Sequence, residues 1–367
     1  MRVLAAGVAT AAVSGCGDSG PKSGASPVSP PGHGGTPRAA ADGLPLRRQV
    51  GQLLILSFHG LTAPAYVEHI LGDGSAGGAI LFGENVSSPG QLRGLTDALQ
   101  RAGRGSVLVA ADQEGGTLRI VPFAGPAAGQ PQIGAAADAR AVNTAAAREL
   151  RSLGVNVNLA PVADVAEPGS ALGGRDFPGG PADVAALVRA AVAGAAEGRV
   201  AATAKHFPGF GSASANTDAQ PVTIAASAAT LRARDLPPFR AAVDAGVPVV
   251  MASHTLYPAL DQERIASQSP VILDRLLRGE LGFRGAVVTD SIEARAVIRR
   301  SDVGTAAVRS IAAGADLVLM TGPGSFRLVY PRLLAEARRS AAFRTRVAEA
   351  ASRVLALKRR LGLRSAR

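Results

Sequence analysis

Val200-Ala201-Ala202-Thr203-Ala204-Lys205-His206-Phe207-Pro208-Gly209 opens on an unbroken run of small, mostly apolar residues and stops at a proline and a glycine. Such a run reads as a strand covered on both faces, with the Pro-Gly pair as the turn that ends it. Lys205 and His206 therefore stand where strand gives way to loop, a place from which rigid scaffolds commonly present their chemistry. Only three of the 39 basic residues are lysines, at positions 22, 205 and 358. Arginine fills nearly every surface role, so a lysine at a strand end points to a need for a compact head group.

Working outward, comparable β-rich runs lie at 53–59, 78–83, 107–114, 155–165, 200–206, 247–254, 286–290 and 315–321. Helical Ala/Leu/Arg patterns fill the gaps, among them 91–102, 138–153, 181–197 and 231–245. Eight strand–helix alternations predict a parallel sheet with helical crossovers, and eight is the number that closes a (β/α)8 TIM barrel. A doubly wound open sheet is the competing α/β fold, but no G-x-G-x-x-G follows the first run. Barrels carry their chemistry at the C-terminal ends of strands. Asp112 and Glu114, then Asp164, Lys205 and His206, His254 and Asp290 all fall at such ends.

The N-terminal stretch has a different character. Arg2, an apolar run over 3–13 and Val13-Ser14-Gly15-Cys16 read as a targeting signal over residues 1–16. The run is too short to span a bilayer as a helix. Its end resembles a bacterial lipobox, which implies lipidation of Cys16, a membrane anchor and an extracytoplasmic location. Cys16 is the only cysteine, so no internal disulfide is available. Residues 17–43 are rich in Gly, Pro and Ser and read as a flexible linker. Residues 44–367 are continuously apolar-periodic and are expected to form one domain, a monomer.

The net charge of +11 comes mostly from scattered arginines. No aromatic residues interleave with them as single-strand binding would require, so nucleic acid is not an expected partner. A basic surface suits an anionic cell envelope. With five histidines and no H-x-H or H-x-x-x-H spacing, neither a metal nor another cofactor is expected.

Five ordered motifs resemble glycoside hydrolase family 3, and in particular its single-domain β-N-acetylglucosaminidases. They are Asp112-Gln113-Glu114-Gly115-Gly116, Ala160-Pro161-Val162-Ala163-Asp164-Val165, Gly174-Arg175-Asp176-Phe177, Lys205-His206-Phe207-Pro208-Gly209 and Val288-Thr289-Asp290-Ser291. The resemblance implies Asp290 as the nucleophile of a retaining mechanism, attacking the anomeric carbon to give a glycosyl-enzyme. It further implies that Asp112, Arg175, Lys205 and His206 bind the hydroxyls of the terminal sugar. Asp112 and Arg175 also admit a plainer role, as a mutual structural ion pair.

The resemblance breaks at the proton donor. The family's acetylglucosaminidases continue K-H-F-P-G-H-G-x-x-x-x-D-S-H, with the last histidine as acid/base and the aspartate orienting it. Here Phe210, Asn216 and Thr217-Asp218 occupy those places. Asp218 then stands as acid/base candidate, restoring a pair of carboxylates, with Asn216 able to hydrogen-bond it without adding charge. The alternative is a catalytically impaired, sugar-binding lipoprotein. A smaller departure lies eight residues after Asp112, where the family's arginine is replaced by Ile120, with Arg119 on the opposite face of extended chain.

With no Trp and three Tyr, the chain lacks the aromatic platforms that grip long polysaccharides. That favours an exo-acting enzyme on a small carbohydrate, and the resemblance suggests a terminal β-linked N-acetylglucosamine from peptidoglycan turnover. A Schiff-base aldolase using Lys205 is the rival chemistry.

Overall fold

The computed structural model describes Ala41 and residues 43–364. The signal, Cys16 and nearly all of the linker lie outside the described residues. Eight strands close a barrel: β1 (Leu54–Leu56), β2 (Gly78–Leu81), β3 (Leu108–Ala111), β4 (Val157–Asn158), β5 (Ala201–Phe207), β6 (Val249–Ala252), β7 (Ala286–Ser291) and β8 (Leu317–Leu319). Every strand pairs in parallel with its sequence neighbours, and β1 pairs with β8 to complete the ring. The (β/α)8 TIM barrel expected from the alternation is the fold observed.

Two apolar shells follow from the period of the strands. Side chains pointing inward, such as Ile55, Leu108, Val157, Val249 and Leu317, fill the barrel interior. Val354 and Leu357 of the C-terminal helix Ala341–Arg360, with Leu361 beyond it, join this inner cluster. Outward-pointing residues such as Leu54, Val109, Val250 and Val318 pack instead against the ring of helices. Each fully buried aliphatic side chain of this kind contributes about 1.5–3 kcal/mol.

Several elements are shorter or more broken than the apolar runs predict, for identifiable reasons. The run at 155–165 yields only the two residues of β4, because Pro161 has no N–H to continue the ladder. Pairing resumes as a single bridge between Val162 and Lys205. The run at 107–114 turns out of the barrel after Ala111, and Gln113–Gly115 pairs antiparallel with Leu118–Arg119 as a small ribbon. The helix expected over 231–245 is split into a π-helical turn, Leu231–Asp235, and an α-helix, Leu236–Asp244. Pro237 and Pro238 remove two backbone donors at that junction.

Candidate active site

A pocket of about 420 Å³ opens at the C-terminal end of the barrel, and Asp112, Arg175, Lys205, His206, Asp218 and Asp290 all line it. Residues from four different βα loops and strand ends, separated by up to 178 positions between Asp112 and Asp290, thus meet in one cavity.

The floor is an ion cluster. Lys205 is buried, and its Nζ donates to Asp112 Oδ1 at 2.6 Å and lies 2.6 Å from Glu114 Oε1. Arg175 holds Glu114 in a bidentate pair, Nε to Oε2 at 2.8 Å and Nη2 to Oε1 at 2.6 Å. Arg175 is therefore paired with Glu114, not with Asp112 as the plainer sequence reading had it. Burial works against the Glu114 carboxylate, but Lys205 and Arg175 more than offset it and pull its pKa down to about 2. Burial likewise opposes the Lys205 ammonium, and the two carboxylates outweigh it, raising its pKa. Lys205 is thus held protonated, which is the wrong state for the neutral amine that a Schiff base needs.

His206 is aimed by a residue from β4's loop. Asp164 is fully buried and accepts His206 Nδ1–H at 2.8 Å, the His206 backbone N–H at 3.1 Å and the Phe210 N–H at 2.7 Å. A carboxylate partner fixes the proton on Nδ1 and leaves Nε2 without a protein partner among the described residues.

Asp290 ends the inward course of β7. Its Oδ1 accepts the Ser291 N–H at 2.7 Å, and Oδ2 has no donor among the described residues. Burial raises its pKa, but His206, His254, the Ser291 N–H and Lys205 together prevail, so the net shift is downward. Asp218 sits at the exposed rim of the same pocket. Its pKa is shifted the other way, first by partial desolvation and then by the charge of Asp290. Asn216 Oδ1 accepts the Asp218 N–H at 2.8 Å, and the Asn216 side chain also favours the ionised carboxylate, a smaller opposing effect.

The fold matches known proteins along nearly the whole described chain. Residues 45–357 match the model of the glycosyl hydrolase family 3 N-terminal domain. The chain belongs to glycosyl hydrolase family 3. It is 32% identical over 341 residues to a protein of Arthroderma benhamiae named "Uncharacterized secreted glycosyl hydrolase", covering 88% of this chain and 96% of that one. It is 33% identical over 304 residues to a Beta-hexosaminidase of Xanthomonas campestris pv. campestris, covering 80% and 89%. A solved family 3 β-N-acetylglucosaminidase from Paenibacillus sp. str. FPU-7 superposes with a TM-score of 0.83 at 35% identity, covering 87% of this chain. The chain spans 63% of that longer protein.

Within this family 3 barrel, three residues matter that sequence reasoning left without a role. Glu114 and Asp164 stood in quoted motifs, and only the contacts reveal them as the counter-charge of Lys205 and Arg175 and the orienter of His206. His254 is the third. It is buried, its Nε2 lies 2.8 Å from the Ser291 carbonyl and its Nδ1 lies 2.7 Å from Ser267 Oγ. The carbonyl can only accept, so Nε2 carries the proton and Nδ1 accepts from the serine hydroxyl. Burial lowers the His254 pKa, consistent with this neutral tautomer bracing the backbone beside Asp290. The signal for His254 was its place at the end of a barrel strand.

The loop from Pro208 to Asp218 is fixed by close backbone packing. The Glu167 N–H donates to Gly211 O at 2.9 Å and the Ala171 N–H to Ala213 O at 2.7 Å. A Cβ on Gly211 would lie 1.8 Å from Val165 O, so only glycine permits this approach. Phe210 is buried with its ring edge-on to His206, 5.7 Å between centroids.

Proposed function

We propose that this family 3 chain is an exo-acting retaining glycosidase that removes a terminal β-linked sugar, N-acetylglucosamine from cell-wall fragments. The observation that carries this reading is the pair Asp290 and Asp218, two carboxylates in one pocket with their pKa values driven in opposite directions. That separation is what a nucleophile and a general acid require at one pH. The ionised Asp290 attacks the anomeric carbon through Oδ2 as Asp218 protonates the departing oxygen. The C1–O bond breaks and a glycosyl–Asp290 ester forms. Asp218, now a carboxylate, takes a proton from water as that water cleaves the ester, which restores both groups.

Asp112, Lys205, His206 and Arg175 supply donors and acceptors fixed by their own ion pairs and by Asp164, so they meet a sugar without reorganising. The names of the similar Xanthomonas campestris and Paenibacillus proteins support the N-acetylglucosaminide assignment. The lipobox-like sequence supports lipidation at Cys16 and work on the outer face of the membrane, as a monomer.

The Asn216-x-Asp218 pattern favours one second reading, a sugar-binding protein without turnover. Incubating the purified chain with an aryl β-N-acetylglucosaminide and a panel of other aryl glycosides, with and without phosphate, separates the two. Release of the aryl group from the N-acetylglucosaminide is the expected result, and phosphate dependence distinguishes phosphorolysis from hydrolysis. Absence of turnover on every glycoside contradicts the glycosidase reading.

A further inference from the structure

The mouth of the active-site pocket has two chemically distinct sides. On one stand Asn216, Thr217 and Asp218 after β5, Ser291 at the end of β7 and Thr321 after β8. On the other stand Phe82 after β2, Leu118 and Ile120 on and just after the ribbon that follows β3, and Ala171 beyond β4, together with Asp112 and Arg175, whose charges are already paired with Lys205 and Glu114. These four apolar side chains are half-exposed, unlike the buried Ile80, Leu159, Met251 and Leu319 beneath them.

The apolar lip is built on ordered backbone. Gly115 pairs with Leu118 and Gln113 with Arg119, and the Ile120 N–H donates to Asp112 O at 3.1 Å. Successive residues of an extended chain point to opposite faces. Leu118 and Ile120 accordingly line the pocket while the cation between them, Arg119, does not. The deep polar groups are those assigned to the sugar hydroxyls, so whatever is attached to C1 leaves through the mouth, between this lip and Asp218 on the facing side. A second sugar there would need hydroxyl partners, and the Phe82, Leu118, Ile120 and Ala171 side chains have none to give.

Resting on the glycosidase reading, we infer that the aglycone side of this pocket selects an apolar group, alkyl, acyl or aryl, over a second sugar. An alkyl β-N-acetylglucosaminide series from methyl to octyl, used below micelle-forming concentrations, isolates this effect, because the leaving alkoxides differ little in basicity. Full burial of one methylene corresponds to about 0.8 kcal/mol, or about fourfold. A half-exposed lip covers part of that area, so kcat/KM is expected to rise about twofold per carbon over the first three or four carbons and then level off. Leu118→Ser with Ile120→Ser, both at half-exposed positions, should flatten that slope to less than half. A flat series in the unaltered chain overturns the inference, since Leu118 and Ile120 would then only cap the terminal sugar. Preference for N,N′-diacetylchitobiose over the octyl glycoside by more than tenfold overturns it as well. If no β-N-acetylglucosaminide is turned over at all, aryl glycosides included, it is the glycosidase reading that fails. Calorimetric titration with octyl and methyl 1-thio-β-N-acetylglucosaminides then tests the lip separately. Tighter octyl binding that the double variant loses supports it, and equal affinities overturn it.

Discussion

Asp290 and Asp218 differ in what surrounds them more than in their own chemistry. Asp290 lies among His206, His254, Lys205 and a backbone N–H, and stays ionised despite burial. Asp290→Asn keeps the shape and removes the charge, so kcat should fall by several orders of magnitude. Activity within about tenfold of the unaltered chain, under about 1.4 kcal/mol in the barrier, excludes Asp290 as nucleophile. Glu114 sets a separate, thermodynamic expectation. Its folded pKa of about 2 lies below the unfolded 4.5, so its contribution is full above pH 4.5 and is lost as pH falls toward 2. The side chain is almost fully buried, and the shift corresponds to on the order of 3 kcal/mol. Urea unfolding at stepped pH should show a loss of that order in the unaltered chain and a visibly shallower loss for Glu114→Gln. Parallel curves would mean that the Lys205–Glu114–Arg175 cluster does not couple to folding.

Elements explain both what the sequence displayed and what it concealed. All eight strands were legible because a parallel barrel strand is covered on both faces and so reads as an apolar run. Their lengths were not, since Pro161 and the outward turn after Ala111 end the ladder while the residues stay apolar or buried. The charged strand ends were legible for the same topological reason. Which charge met which was not, because Arg175 and Glu114 lie 61 positions apart and could pair only once the β3 and β4 loops were folded together. The loop from Pro208 to Asp218 illustrates a constraint visible only in three dimensions. Gly211→Ala drives a Cβ into the Val165 carbonyl, so the loop from Pro208 to Asp218 must shift. Overpacking of this kind costs about 1–3 kcal/mol, and moving Asp218 should lower kcat beyond what lost stability explains. A variant with unchanged kcat and unchanged Tm would show that this contact does not position the loop.

At the scale of the whole molecule, the strands point one barrel end toward chemistry, and the C-terminal helix contributes Val354 and Leu357 to the interior packing. No helix among the described residues is long and apolar enough to cross a membrane, so the proposed membrane residence rests on Cys16. Cys16→Ser should move the protein from the membrane to the soluble fraction, and unchanged fractionation contradicts lipid anchoring. One acyl chain binds only marginally, so stable retention also requires more than one. The proposed covalent mechanism is divided between two carboxylates, and Asp218→Ala separates their roles. An activated aryl β-N-acetylglucosaminide needs little help to expel its leaving group, whereas the second step still needs a base. The variant should therefore accumulate a glycosyl-enzyme, seen by mass spectrometry as one added sugar on the peptide that contains Asp290. Azide should discharge it as a β-glycosyl azide with faster turnover. No adduct, an adduct on another residue, or equal small losses on activated and natural substrates without azide rescue would contradict the mechanism.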